Sequence, residues 1–179
     1  MRLFTRRLLL RPPKAGDAEY IFTYGSLEAV SLPAGFPRHR SVADARRWVS
    51  AALREWKKPG SRVRAFTIVL KKTGSPIGGV NLRWPHEGVG EFGYSLHPDH
   101  WGRGYAPEAA RKLVDLAFAK FGAHRVQATC WVQNARSAKV LRKLGLRKEG
   151  RLRGYLKRAG VVRDEFIWGV TRQDWLAKK

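Results

Sequence analysis

Trp101-Gly102-Arg103-Gly104-Tyr105-Ala106-Pro107-Glu108 is the stretch on which the reading of this sequence turns. Gly102 and Gly104 lack Cβ atoms, so the backbone can turn tightly and approach a ligand closely. Pro107 suits the first helical position, where a missing N–H costs little. The unbonded N–H groups of that first turn, with the helix dipole behind them, form an anion site, and a diphosphate is its natural occupant. Gly-x-Gly by itself is as compatible with a tight turn that holds no ligand. Two better-defined phosphate motifs are excluded. A Walker-type loop needs Gly-x-x-x-x-Gly-Lys-Ser/Thr, which is absent. The dinucleotide fingerprint Gly-x-Gly-x-x-Gly would need glycine where Pro107 stands, and it usually opens a parallel sheet rather than lying past mid-chain.

Outward from this stretch, the residues before it read as a strand over 89–97, closed by Pro98, which cannot extend a central ladder. The residues after it read as a helix over 107–121. Ala110, Leu113, Val114, Ala117 and Phe121 share one face there, and Gly122 is the stop. Upstream, residues 6–11 read as a short strand and 16–24 as a short helix ended by Gly25. Residues 27–40 hold Pro33, Gly35 and Pro37 and read as a loop. Ser41 opens a strong helix with Val42, Ala45, Val49, Ala52, Leu53 and Trp56 on one face. Asp44, three residues on, resembles a capping-box partner, and Pro59-Gly60 is the end. Strands 62–70 and 76–84 flank a hairpin signal, Lys72-Thr73-Gly74-Ser75. Downstream come strand 124–132, helix 135–144 ended by Gly145, two long strands 146–158 and 161–170 around Ala159-Gly160, and a short helix over 172–177. The pattern is α+β: a mixed, mostly antiparallel sheet of six to seven strands flanked by helices, with a strand-helix-strand unit in the middle. No composition break divides the chain, so residues 1–179 read as a single domain.

The length of 179 residues fits one domain with a sizeable core. No apolar run approaches the ~20 residues of a membrane span. Thr5-Arg6-Arg7-Leu8-Leu9-Leu10 imitates the start of a twin-arginine export signal. The apolar stretch such a signal requires is replaced by Arg11-Pro12-Pro13-Lys14, so a strand with charged flanks is expected. The one cysteine, Cys130, excludes an intramolecular disulfide and suits a reducing, cytoplasmic compartment. No Cys/His cluster has metal-ligand spacing, so no metal is expected. The 36 Lys+Arg against 14 Asp+Glu leave a net charge of +22, which attracts polyanions in a salt-dependent way. Contact with RNA, a ribosome or an acidic substrate is one reading of this charge. A basic surface of scattered, solvated charges is the other.

A second segment bears chemistry: Asn134-Ala135-Arg136-Ser137-Ala138-Lys139-Val140-Leu141-Arg142-Lys143-Leu144-Gly145. Asn134 is a good N-cap. Ser137 precedes Val140, Leu141 and Leu144 by three, four and seven residues and so points inward with them. Such a hydroxyl either bonds a nearby backbone group or serves a site.

Glu91-Phe92-Gly93-Tyr94-Ser95-Leu96-His97-Pro98 followed by His100-Trp101-Gly102-Arg103-Gly104-Tyr105-Ala106-Pro107-Glu108-Ala109 resembles the acetyl-CoA site of the GNAT superfamily of N-acetyltransferases. Asn134-x-x-Ser137 and Lys143-Leu144-Gly145-Leu146 match it too. The opening Thr5-Arg6-Arg7-Leu8-Leu9-Leu10-Arg11-Pro12 and the late Gly160-Val161-Val162-Arg163-Asp164 are similar to the Rim-type branch, the ribosomal-protein N-terminal acetyltransferases. The resemblance spans nearly the whole chain. It departs at Trp101, where the superfamily's diphosphate motif has Gln or Arg.

The resemblance implies the GNAT fold and a direct transfer of acetyl from acetyl-CoA to an amine, with no metal. It implies that the pantetheine arm lies in a gap where the strand ending at His97 splays from its parallel neighbour. Backbone groups at Ser95, Leu96 and His97 would hold that arm, and one N–H would polarise the thioester carbonyl. The N–H groups of Gly102, Arg103, Gly104, Tyr105 and Ala106 would hold the diphosphate. Asn134 would bond the pantetheine or the acceptor, and Ser137 would protonate the departing thiolate. Glu91 is the first candidate for general base. His97 and His100 titrate in the right range, and Asp164 and Glu165 lie in strands that shape the acceptor pocket. Cys130 reads as a buried small hydrophobe. A Lys amine is neutral about 300-fold less often than an α-amine at pH 7, roughly 3.5 kcal/mol, so an α-amine is the easier acceptor. A chain of charge +22 should also repel polycationic acceptors such as polyamines or aminoglycosides, and a free basic ribosomal protein unless docking to ribosomal RNA offsets the repulsion.

Overall fold

The computed structural model describes residues 1–158 and 160–177. In chain order the elements are β1 (Leu3–Phe4), β2 (Leu8–Arg11), α1 (Ala18–Gly25), α2 (Glu28–Ala34), α3 (Val42–Lys57), β3 (Val63–Leu70), β4 (Pro76–His86) and β5 (Val89–Leu96). After them come α4 (Tyr105–Ala119), β6 (Arg125–Trp131), α5 (Ala135–Lys143), β7 (Arg147–Arg158), β8 (Val161–Thr171) and α6 (Arg172–Leu176). The eight strands form one sheet in the order β1-β2-β3-β4-β5-β6-β8-β7. Among the described residues only the β5/β6 pairing is parallel. The architecture is the mixed, mostly antiparallel sheet with flanking helices expected from the sequence. It carries one strand more, because the two-residue β1 pairs Leu3 with Leu10 and is too short to show an alternation. The turn read at Ala159-Gly160 has its first residue outside the described residues.

Strand alternation separates the two faces. Phe66 and Ile68 of β3 pack with Ala109, Leu113 and Val114 of α4 in the main core. Thr67, between them, points the other way, and its hydroxyl donates to Asp17 Oδ2 at 2.7 Å beside the start of α1. Helix α4 therefore covers one face. Helices α1 and α3 build a second, smaller cluster on the other, from Ala18, Ile21, Tyr24, Ala45 and Val49, joined by Val30 of α2. Asp17 also takes a two-pronged ion pair from Arg11, at 2.7 Å for each bond. Burial pushes its carboxyl up, but the bonds from Arg11, the Lys14 N–H and Thr67 outweigh that and hold it below the ordinary Asp value.

Residues 27–40 depart from the loop reading. Helix α2 forms there despite Pro33, ends on Gly35 in the left-handed region (φ 71°), and buries Val30 and Ser31. Pro33 is tolerated because a seven-residue helix has few internal bonds to lose, and burial of Val30 offsets the missing one. The box at Ser41 forms: its hydroxyl accepts from Asp44 N at 3.3 Å, and Asp44 Oδ2 accepts from Ser41 N at 3.1 Å. The shorter Asp side chain substitutes for Glu here. Among the described residues no helix is long and apolar enough to cross a membrane.

Candidate active site

Strand β5 is held along its length by β4, from Arg83↔Glu91 to Gly78↔Leu96. Its pairing with β6 covers only Val89↔Arg125, Gly90↔Val126 and Glu91↔Gln127. Beyond Gln127, β6 continues to Trp131 paired to β8 alone. A gap therefore opens between residues 92–96 of β5 and residues 128–131 of β6. The backbone edge of β5 that faces it has no ladder partner. The His97 N–H donates to Ile77 O on the β4 side at 3.1 Å. Bonding direction alternates along a strand, so Ser95 also turns its backbone to β4 and Leu96 turns its own to the gap. Leu96 O there accepts from the Trp101 indole N–H at 3.0 Å. Of the three residues expected to line the gap with backbone groups, the structure leaves that position to Leu96.

The α4 face of the gap carries Tyr94 and Ser137. The two hydroxyls lie 2.9 Å apart, one from β5 and one from α5, so the pair spans the opening. Ser137 is thus turned inward, and its partner is a side chain rather than a nearby carbonyl. Asn134 caps α5 by accepting from Ser137 N at 3.0 Å, which fixes Ser137 in the first turn. The cap uses one lone pair of its Oδ1, which leaves its amide nitrogen and the second lone pair open to a ligand. Burial pushes the Tyr94 hydroxyl well above its ordinary value, and the bond to Ser137 partly opposes this. Burial likewise raises the Cys130 thiol, with Trp168 and Ser137 pulling the other way. Cys130 is buried as expected, but it borders the Ser137 hydroxyl, which its place mid-strand did not reveal.

The glycine stretch leads from the end of β5 to α4. Gly102 (φ 73°) and Gly104 (φ 77°) are both left-handed, a conformation that costs other residues roughly 1–2 kcal/mol each. Helix α4 starts at Tyr105, so Pro107 is its third residue and not its first. The first N–H to bond back is that of Glu108, to Gly104 O at 3.3 Å. Pro107 supplies no donor, and the N–H groups of Tyr105 and Ala106 are orphaned by position. This helix start is where the sequence reading expects the anion site. Trp101, in place of Gln or Arg, packs its ring under the Arg136 guanidinium at 4.2 Å and so links the stretch to α5. His100 sits nearby with Nδ1 buried, and burial together with His97 and Arg103 lowers its pKa below the ordinary His value.

On the opposite face of the sheet, near the fork, lie two buried carboxylates. Glu91, at the fork, is 6% exposed. Its Oε1 accepts from Arg83, and its Oε2 accepts from Gln127 Nε2 at 3.1 Å. Glu165 of β8 is 2% exposed and pairs in register with Trp131. Arg163 Nε lies 2.8 Å from Glu165 Oε1, within ion-pair reach although not aligned as a hydrogen bond. Burial is the main cause that pushes the Glu165 carboxyl up. The Arg163 charge opposes it, and the Glu91 charge adds to it. Arg163 also donates to Leu32 O of α2 and stacks over Trp131 at 5.3 Å, which pins α2 beside Glu165. Asp164 faces away, taking Arg151 Nε at 2.7 Å and Gly154 N at 2.7 Å on an exposed edge. Among the described residues no three His, Cys, Asp or Glu side chains are grouped closely enough to hold a metal ion.

A splayed parallel pair beside a glycine-rich helix start is the arrangement of an acyl-CoA transferase. Residues 7–147 match the acetyltransferase (GNAT) domain family, and the chain belongs to that family. It is an N-acetyltransferase of a family that transfers acetyl from acetyl-CoA. Its relatives include the uncharacterized N-acetyltransferase p20 of Bacillus licheniformis, 32% identical over 97% of both chains. Among solved structures it is similar to a GNAT acetyltransferase of Bacillus anthracis, with a TM-score of 0.84, 25% identity and coverage of 97% of this chain and 99% of that one. It is also similar to the ribosomal-protein-S5-alanine acetyltransferase of Vibrio fischeri, with a TM-score of 0.79, 26% identity and 98% of each chain covered. The last likeness agrees with the resemblance to the Rim-type branch.

Proposed function

We propose that the chain binds acetyl-CoA through the β5/β6 gap and acetylates an α-amine that approaches from the sheet face that carries the buried Glu91 and Glu165. The observation that carries this reading is the end of β5/β6 pairing at Glu91↔Gln127, with the left-handed glycines and the start of α4 just beyond it. The N–H groups of Gly102, Arg103, Gly104, Tyr105 and Ala106 are the diphosphate donors. The Leu96 N–H is the backbone donor that faces the gap and polarises the thioester carbonyl. Ser95 and His97 shape the wall rather than bond the pantetheine through their N–H groups. Asn134 bonds the arm through its side-chain amide.

The amine nitrogen attacks the thioester carbon, a C–N bond forms and the C–S bond breaks. Glu91 receives the acceptor's proton directly or through water, with Glu165 as the second carboxylate of that face. Ser137 delivers a proton to the leaving thiolate, and the Tyr94 hydroxyl 2.9 Å away relays a replacement proton to it from solvent. Cys130 has no part in the transfer, because the direct attack requires no protein nucleophile.

A protein or peptide N-terminus, or an amino-acid-like molecule, is the acceptor that the pKa argument favours. The likeness to a ribosomal-protein acetyltransferase supports the protein terminus. The charge supports a second property, association with RNA or ribosomes. Exposed Arg136, Lys139, Arg142 and Lys143 on α5 and Arg151, Arg153 and Lys157 on β7 add to the exposed Arg103 of the glycine stretch. Turnover of acetyl-CoA by the purified chain with a panel of peptide amines and small amines tests the main reading. Turnover of the small amines alone would return it to small-molecule acetylation, and no turnover would leave a binding protein on an acyl-CoA scaffold.

A further inference from the structure

We propose that Arg7, clamped by Glu108, is a positioning residue that aims the Gly104 N–H into the phosphate site. Arg7 lies in the turn before β2, far in sequence from the glycine stretch. Its backbone N–H donates to Glu108 Oε1 at 2.8 Å and its Nε to Glu108 Oε2 at 2.6 Å. Thr5 Oγ1 donates to the same Oε1 at 2.6 Å. Glu108 belongs to the first turn of α4. Burial pushes its carboxyl up, but the bonds from Thr5 and Arg7 win and hold it ionised. The guanidinium is thereby fixed, with its carbon 4.5 Å from the centre of the Tyr105 ring. One of its two terminal nitrogens, Nη1, donates to Arg103 O at 3.0 Å.

That last bond sets the direction of a donor. A trans peptide points its C=O and N–H in opposite directions. Anchoring Arg103 O on the Arg7 side therefore turns the Gly104 N–H away from Arg7, toward the mouth of the helix start. A glycine peptide rotates easily, because neither handedness is penalised. A flip would replace a donor by a carbonyl oxygen facing the phosphate. Arg7 prevents it by bridging Glu108 and Arg103 at once. A Cβ on Gly104 would lie 3.4 Å from Arg7 Nη2, a measure of how closely the clamp follows the loop. Lysine keeps the charge at position 7 but has no planar fork to reach both partners.

This inference rests on acetyl-CoA binding at the glycine stretch. The test is calorimetric titration of CoA into the parent and into Arg7→Lys, Glu108→Gln and Thr5→Val variants, each melted in parallel. Failure of the parent to bind CoA would remove the binding reading itself. With the parent binding, Arg7→Lys and Glu108→Gln should raise Kd about tenfold, the size of one lost hydrogen bond to a charged group. Thr5→Val loosens the same tether without touching Arg103 O and should bind as the parent does. A Kd within about twofold of the parent in folded Arg7→Lys or Glu108→Gln would overturn the positioning role. So would an equal loss in Thr5→Val, which would mean general loosening of the N-terminal hairpin.

Discussion

Replacing Ser137 by alanine separates the structural and chemical roles of the hydroxyl that meets Tyr94 across the gap. The Tyr94 hydroxyl then loses the partner it has at 2.9 Å. A fully buried polar group stranded in this way costs about 1–3 kcal/mol. Tyr94 is only part-buried and can recruit water, so the lower end, about 1 kcal/mol, is expected. For a chain of this length that lowers Tm by about 2–4 °C. The chemical effect should be far larger, since losing a general acid typically slows the step about 100- to 10,000-fold. Tyr94→Phe is the companion variant. It leaves Ser137 fixed by the Asn134 cap, whose bond to the Ser137 N–H it does not touch. Its kcat should fall by much less, and Tm of the double variant should recover most of the single losses, because neither hydroxyl is then stranded. Melting curves and steady-state kinetics with acetyl-CoA measure both quantities. A kcat for Ser137→Ala within about twofold of the parent, with the Tm loss present, would make Ser137 a packing residue and refute the acid assignment.

Gly104→Val imposes a β-branched residue on a φ of 77° and fills space at the helix start, so CoA affinity should fall strongly. Calorimetry on a folded variant decides, and unchanged affinity rejects the diphosphate placement. Glu91→Gln should lower kcat about 100- to 10,000-fold, whereas a parent-like kcat in Glu91→Gln with the loss in Glu165→Gln would transfer the base to β8. Asp17 is held below its ordinary value of 3.8, so its pairing with Arg11 stabilises the fold fully above that pH, and the contribution is lost as pH falls through the lower folded pKa. Asp17→Asn should therefore flatten the acid side of the Tm-versus-pH curve, and an unchanged acid slope would contradict this. Sedimentation with ribosomes or duplex RNA should be strong at low salt and fall steeply at moderate salt, and a chain that stays in the supernatant at low salt carries its charge without such a partner.

Local rules in the sequence were enough to find most of the fold. Periodicity and breakers located α3, α4, α5 and every strand but β1, because those signals act within one helix turn or one strand. They failed at residues 27–40, where Pro33 and Gly35 outweigh the intrinsic helix signal and burial of Val30 supplies the missing stability. They also misplaced Pro107 by two residues, since the left-handed Gly104 sets the helix start and φ is not written in composition. The inward face of Ser137 was legible from its spacing to Leu141 and Leu144. Its partner was not, because Tyr94 and Ser137 meet only after β5 and β6 diverge. The pairing of Glu91 with Arg83 and Gln127 depended on sheet register, whereas Arg163 and Glu165 are i,i+2 neighbours on β8 and share a face by strand alternation alone. The rule that Leu96, and neither of its neighbours, turns its backbone to the gap depended on register too. Residue types and spacings along the chain determined the family, the elements and the phosphate-loop stretch. Only the tertiary structure decided which polar groups face one another, since those contacts join segments that are distant in sequence and set by strand alternation across the sheet.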